Sequence, residues 1–322
     1  MSSPTLLTQL RDRVVVDVDS MDPAVAEKYS QYARFCDMTS NQAIAFSEAS
    51  KPGRVAVVKA ACVQAKARLP TSGIEEQVTL ALDILTAYLA KDVIPYLEKR
   101  VHAQTSPSVA HNTEKTIAHA TRLVEQFEAV GIPRSRVCIK IPLTPESVVA
   151  CHALQNAGIN TLGTCLFNLP QALAASQAGC LYVAPYFNGA AFVFFTSTNL
   201  VIWLWLGIAE LRVHFQPDTW VEYKNTVEEH PTIAVIDSVM KAFKAIDSPT
   251  LVMPASIVTV SEILALAALH PHHLTISANI LNQLASDTTT QLDSVKAPTS
   301  EQSLNNSTLG LLKHLSYFCC NH

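Results

Sequence analysis

Short runs of β-branched and aliphatic residues alternate along the chain with longer stretches of helical spacing. Val14-Val15-Val16-Asp17 is the first strand candidate, and Arg34 to Asn41 is a second, weaker one. Residues 54–68 and 74–91 carry helical spacing, the latter continuing toward Val93-Ile94. Residues 113–129 predict an amphipathic helix with Ile117, Leu123, Val124 and Phe127 on or near one face. Gly131-Ile132-Pro133 stops it, and Arg136 to Pro142 follows as a strand with β-branched residues on both faces. Helix 145–156, strand 159–164, helix 168–178 and strand 181–187 come next. Later, Thr250 to Ala255 reads as a strand, 259–269 as a helix and His273 to Ser277 as the last strand. Such alternation implies parallel strands joined by crossover helices. About eight strands predict an α/β fold, a closed parallel (β/α)8 TIM barrel, over an open doubly wound sheet. No GxGxxG follows the first strand, which argues against a dinucleotide fold.

One residue breaks the apolar pattern. Lys140 stands near the carboxyl end of the strand at 136–142. A buried ammonium is costly unless it is paired or neutralised. Either a neighbouring carboxylate pairs with it, or it serves as an amine nucleophile toward carbonyls. In a (β/α)8 barrel, polar residues at strand carboxyl ends face the active site. Here those ends supply Asp17, Asp37 with Asn41, Lys140, Thr164, Tyr186, Ser256, and Ser277 with Asn279. Each has a bland reading: Asp17 or Ser256 could cap a following helix, and Thr164 could satisfy a backbone carbonyl. Their convergence favours chemistry at Lys140.

Composition narrows the class. The 322 residues are 49% apolar and 16% charged, enough for a large core. A net charge of -4 leaves no basic footprint for nucleic acid. The eight cysteines show no CxxC or Cys/His spacing, so no metal is expected, and most lie inside apolar runs. Residues 1–13 are polar and carry no signal peptide pattern, which points to a reducing, cytoplasmic setting.

A family resemblance rests on ordered motifs. They are Val15-Val16-Asp17, Asp37-Met38-Thr39-Ser40-Asn41, Ile139-Lys140-Ile141, Ala157-Gly158-Ile159-Asn160 running into Thr164, and Leu166-Phe167-Asn168-Leu169-Pro170. Ala184-Pro185-Tyr186, Met253-Pro254-Ala255-Ser256 and Leu274-Thr275-Ile276-Ser277 continue the series. Over residues 8–285 the chain resembles the transaldolase family of Schiff-base aldolases. The resemblance implies that Lys140 forms an imine with a ketose, needing no cofactor. It implies that Asp17 moves the proton on the substrate hydroxyl and that Thr164 holds the catalytic water. Asn41, Thr39 and Ser256 match substrate-binding positions, and Asn279 receives no role. The expected partners are small ketoses and aldehydes, and the expected activity is transfer of a dihydroxyacetone unit in the pentose phosphate pathway.

Several positions depart from the pattern. Gln104 falls where the family carries a water-activating glutamate, and Tyr186 where transaldolases carry phenylalanine. Both resemble the fructose-6-phosphate aldolase branch. An amide orients water but is no general base, and a tyrosine hydroxyl can hold a proton where phenylalanine cannot. The family's phosphate-binding arginines match Gly189 and Val258, and an expected asparagine matches Leu162. No Asp, Glu, Lys or Arg occurs between Ser147 and Ala209. The resemblance therefore leaves an alternative: a divergent aldolase for a non-phosphorylated or specialised-pathway substrate. A non-catalytic barrel with a degraded site is the second alternative.

Two segments stand apart from the barrel. Residues 189–209 form an uncharged, apolar insertion after the sixth strand. Its length would suit a membrane span, but Thr196-Ser197-Thr198-Asn199 interrupts it and a closed barrel flanks it. A helical lid, an oligomer contact that a homodimer would use, or a translated intron are the other readings. Residues 286–322 read as a polar linker followed by a short apolar helix at 308–318.

Overall fold

The computed structural model describes residues 4–30, 33–188, 223–292 and 295–298. Among the described residues, helices and strands alternate over 101–185, whereas four α-helices separate the first strand from the second. In chain order they are α1 (Leu6–Arg11), β1 (Val15–Val18), α2 (Pro23–Ser30), α3 (Gln42–Ala49), α4 (Val55–Arg68) and α5 (Ile74–Val93). β2 (Val101–Gln104), α6 (Thr113–Ala129), β3 (Val137–Pro142), α7 (Pro145–Asn156), β4 (Asn160–Leu166), α8 (Leu169–Gln177) and β5 (Tyr182–Pro185) follow. The series ends with α9 (Thr226–Glu229), α10 (Pro231–Ala245), β6 (Leu251–Val252), α11 (Val260–Ala267), β7 (His273–Ile276) and α12 (Ala278–Ser286).

Local sequence explains the boundaries around β3. The Asn112 side chain accepts the Lys115 N–H and starts α6. Gly131, at φ +88°, lets the chain turn out of that helix into β3. After β3, Thr144 and Ser147 form a reciprocal capping box with Pro145 in the first turn of α7. Lys140 is thus carried on a strand whose two ends are both fixed.

All the strand pairs are parallel. β2, β3, β4, β5 and β6 form one ladder in that order, and β1 pairs with β7. Residues 35–39 join the two sets. Val18 N–H donates to Asp37 O at 3.0 Å, Met38 N–H to Arg100 O at 2.9 Å and His102 N–H to Met38 O at 2.8 Å. Backbone bonds therefore run from β7 through β1, 35–39 and β2 to β6. Among the described residues no backbone ladder joins β6 to β7. There, Val252 N–H donates to the ring Nδ1 of His272 at 3.0 Å.

Side-chain alternation sorts two environments. Val16, Val18, Ile139, Ile141, Leu274 and Ile276 belong to the large apolar core that they share with the helices. The other face carries Asp17, Asp37, His102, Cys138, Tyr182 and His273, all buried. These side chains close a circuit. Asp17 bonds His273 Nδ1 at 2.8 Å and accepts the Asp37 N–H at 2.8 Å. Asp37 bonds His102 Nε2 at 2.9 Å. The Tyr182 ring lies 5.3 Å from His102 and 5.2 Å from His273. The circuit touches β1, 35–39, β2, β5 and β7, so all five face one interior.

The structure corrects several sequence-based boundaries. β1 runs to Val18, so Asp17 is inside the strand and not at its end. β2 has no counterpart in the apolar pattern, because its inward residues are His102 and Gln104. The segment at 34–41 forms bridges and hydrogen bonds without a regular strand. The insertion at 189–209 and the helix at 308–318 lie outside the described residues. Among the described residues, no helix is long and apolar enough to cross a membrane.

Candidate active site

Lys140 shares the inward face of β3 with Cys138, and Ile139 and Ile141 pack outward. Only 5% of Lys140 is exposed. Its Nζ lies 5.5 Å from the centre of the Tyr186 ring. It forms no ion pair with any described residue, so the carboxylate-partner reading finds no support among them. A desolvated cation–π contact contributes about 2 kcal/mol, less than the several kcal/mol that burying an unpaired ammonium costs.

Other predicted residues gather round this amine. Thr164 Oγ1 donates to the Tyr186 hydroxyl at 3.0 Å, and both residues are buried. Gln104 is the register partner of Lys140 on β2. Its Nε2 donates to Gln42 Oε1 at 3.1 Å, while its buried Oε1 has no hydrogen-bond partner. That unfilled acceptor suits a water or a substrate hydroxyl. Leu162, the next partner of Lys140, is fully buried beside Tyr186 and makes this wall apolar. Asn41 caps α3 through its Oδ1 on Ile44 N–H at 2.9 Å. Ser256 sits at φ +63°, and its hydroxyl donates to Asn188 O. Tyr186 and Ala255 form a parallel bridge that brings Ser256 to the same rim.

Asp17 is not in this group. It is fully buried one layer inward, and both carboxylate oxygens are engaged, by the Asp37 N–H and by His273. Burial pushes its carboxyl above the usual range, partly offset by His273. Asp37 goes the other way: burial would raise it, but the His102 hydrogen bond and charge hold it well below the carboxylate range. Asp19 shares the face of Asp17 one layer toward the strand ends. Its backbone N–H donates to Ile276 O at 3.0 Å, and Thr39 Oγ1 donates to its Oδ1 at 2.6 Å. Thr39 also bonds Thr275 Oγ1. Asp19 is half-buried, unlike Asp17, and stands at the end where Asn41, Gln104 and Lys140 lie. It was not among the candidate residues drawn from the sequence. The available signal was the two-residue spacing from Asp17 and the turn beginning at Ser20.

Asp17, Cys36 and His273 also present metal-ligand atoms within 4.8 Å of one another. Asp17 and His273 already bond each other directly. Burial, aided by Asp37 and Asp17, pushes the Cys36 thiol up to about 12. A metal would have to displace both a hydrogen bond and a tightly held proton.

Residues 16–314 match the family model described as transaldolase/fructose-6-phosphate aldolase. The chain belongs to that family of enzymes. The transaldolase of Alteromonas mediterranea is 29% identical over 281 residues, covering 87% of this chain and 79% of that protein. The transaldolase of Schizosaccharomyces pombe is 30% identical over 264 residues, 81% of this chain and 74% of that protein. The transaldolase of Gloeobacter violaceus is 28% identical, and the match spans 65% of its length.

Within the transaldolase/fructose-6-phosphate aldolase family frame, the rim near Tyr186 carries its own titrating group. Phe187 stacks on His230 at 4.0 Å between ring centres. His230 Nδ1 accepts the Thr232 N–H at 3.3 Å at the start of α10, and Thr232 Oγ1 donates to Phe187 O at 3.1 Å. Burial lowers His230 from 6.5 to about 4. The folded state therefore favours the neutral ring. Its stability is complete above pH 6.5 and falls as the pH drops toward about 4. A loss of about 2 kcal/mol across that window is expected after allowing for solvent. Urea midpoints measured against pH should slope there in the parent protein and flatten in His230→Asn.

Proposed function

We propose that this chain is a Schiff-base enzyme that makes or breaks a carbon–carbon bond next to a ketose carbonyl, within a closed (β/α)8 barrel. The single observation that carries the reading is the buried Lys140, which has no carboxylate partner among the described residues and lies against Tyr186, itself bonded to Thr164. The circuit of inward side chains supports closure of the barrel across the β6–β7 gap.

The Lys140 amine gives up a proton and adds to the ketose carbonyl, and loss of water leaves a protonated imine. The imine accepts the electron pair of the adjacent carbon–carbon bond, so no metal is needed for this step. Asp19, in the place first expected of Asp17, takes the proton from the hydroxyl on the departing carbon, which leaves as an aldehyde. An acceptor aldehyde then takes the three-carbon unit by the reverse steps, and water hydrolyses the imine. Thr164 and Tyr186 hold that water or its proton, and Gln104 orients it through its unfilled Oε1. Asn41 and Thr39 line the substrate end, and Ser256 fixes the rim. All six described cysteines are free thiols, which fits a reducing cytoplasm.

Exchange of a labelled three-carbon unit between a ketose and an aldose, with retained activity in chelator, tests the reading. No exchange and no cleavage with any ketose would rule it out. Tyr186 and Gln104 favour a second variant of the same chemistry, simple aldol cleavage or addition. Tyr186→Phe should lower the cleavage rate by about 10- to 100-fold and lower transfer less. Equal losses in a two-assay comparison would count against a proton role for Tyr186.

A further inference from the structure

The side-chain amide of Gln104 can show the site either its oxygen or its NH2, and one neighbour decides between them. Gln42 opens α3, directly after the Asn41 cap. Its Nε2 donates to Gln104 O at 3.0 Å and to Thr105 O at 3.2 Å. A carbonyl oxygen only accepts, so the Gln42 amide must place its NH2 there and turn its Oε1 the other way. Gln104 Nε2 donates to that Oε1 at 3.1 Å. The Gln104 NH2 is thereby committed to Gln42, and its buried Oε1 is left as an unfilled acceptor. The backbone around this pair is fixed as well. The Ser40 hydroxyl donates to His102 O at 2.6 Å, and the Thr105 N–H donates to Lys140 O at 3.0 Å. The amide is thus held at the end of β2, beside Lys140, its register partner on β3.

The direction of that amide decides what a water beside it can do. In hydrolysis of the imine, the water oxygen bonds the imine carbon and the C=N pair moves onto nitrogen. The C–N bond then breaks, leaving the ketone and a Lys140 ammonium that carries the water's two protons. The water must therefore aim a lone pair at the imine carbon. An acceptor that takes its O–H leaves that lone pair free, and Gln104 Oε1 is such an acceptor. A reversed amide would offer an N–H to the lone pair and oppose the attack.

We propose that Gln42 is a positioning residue that holds the Gln104 amide with Oε1 toward the attacking water, and so sets how fast the imine is hydrolysed. The inference rests on the imine reading of Lys140 and on the water role of Gln104. Two variants separate donor from acceptor at this position, where Gln42 is exposed and neither change buries a charge. Gln42→Glu offers only acceptors and still takes the Gln104 NH2. Gln42→Lys offers only donors, keeps the bonds to Gln104 O and Thr105 O, and draws the Gln104 oxygen toward itself. The protein is loaded with labelled dihydroxyacetone, freed of excess by rapid desalting and quenched with borohydride at intervals. The trapped adduct should decay about tenfold more slowly in Gln42→Lys than in the parent, and within about threefold of the parent in Gln42→Glu. A merely structural role predicts the opposite order, since lysine keeps the backbone bonds and glutamate loses them. Charge alone also predicts the opposite, since a nearby cation destabilises a cationic imine. Decay in Gln42→Lys as fast as in Gln42→Glu, or faster, would overturn the proposal. Unchanged decay in Gln104→Met would remove the water role of Gln104, and no adduct in the parent would sink the imine reading itself, each taking this inference with it.

Discussion

Lys140→Met is expected to lower turnover by about 10⁴-fold or more while leaving the protein folded. The chemical half follows from the lack of a substitute. No other group on the inward face of β3 is an amine, since its inward neighbour is Cys138. The structural half separates the two readings of this lysine. Removing one member of a buried ion pair costs about 3–5 kcal/mol, because a charge is left behind. Lys140 has no such partner among the described residues and contacts the Tyr186 ring instead. Methionine keeps the volume, so the change in stability should stay within about 1.5 kcal/mol. Chemical denaturation beside a steady-state assay measures both halves. A loss of several kcal/mol would restore the ion-pair explanation.

The second large effect divides two aspartates. Asp19→Asn should reduce kcat by about 10²- to 10⁴-fold, as loss of a general base does. It should cost less stability than a change at Asp17, because an amide oxygen can still accept the Thr39 hydroxyl. Asp17→Ala should do the reverse. It strands the Asp37 N–H and His273 in the buried interior, at a cost of about 2–4 kcal/mol. Turnover per folded molecule should stay within about threefold. If Asp17→Ala abolished turnover in a folded protein and Asp19→Asn did not, the assignment would have to be reversed.

The contrast between these residues shows what the sequence could carry. β3 was legible because a strand buried on both faces reads as a near-continuous apolar run. Lys140 stood out against that background, and its register partner Gln104 was named as a site residue. β2 itself was not legible. Its inward residues, His102 and Gln104, join a polar interior, so Val101-His102-Ala103-Gln104 lacks an apolar signature. Pattern reading ended β1 at Asp17, where polarity begins. The strand runs one residue further and leaves Asp17 inside, paired with a histidine 256 positions away. No local pattern announces such a partner. The Gln42–Gln104 tie was invisible for the same reason, since the two are 62 residues apart. α10 could have been read, because Ile233, Ile236, Val239 and Phe243 recur on one face and all are buried.

The central claim is a covalent bond between Lys140 and a ketose. Intact-mass measurement after borohydride reduction with a ketose, followed by peptide mapping, tests it directly. The predicted result is one sugar adduct per chain on the peptide carrying Lys140, absent from Lys140→Met. No mass gain with any ketose or hydroxyketone, or an adduct on a different lysine, would contradict it.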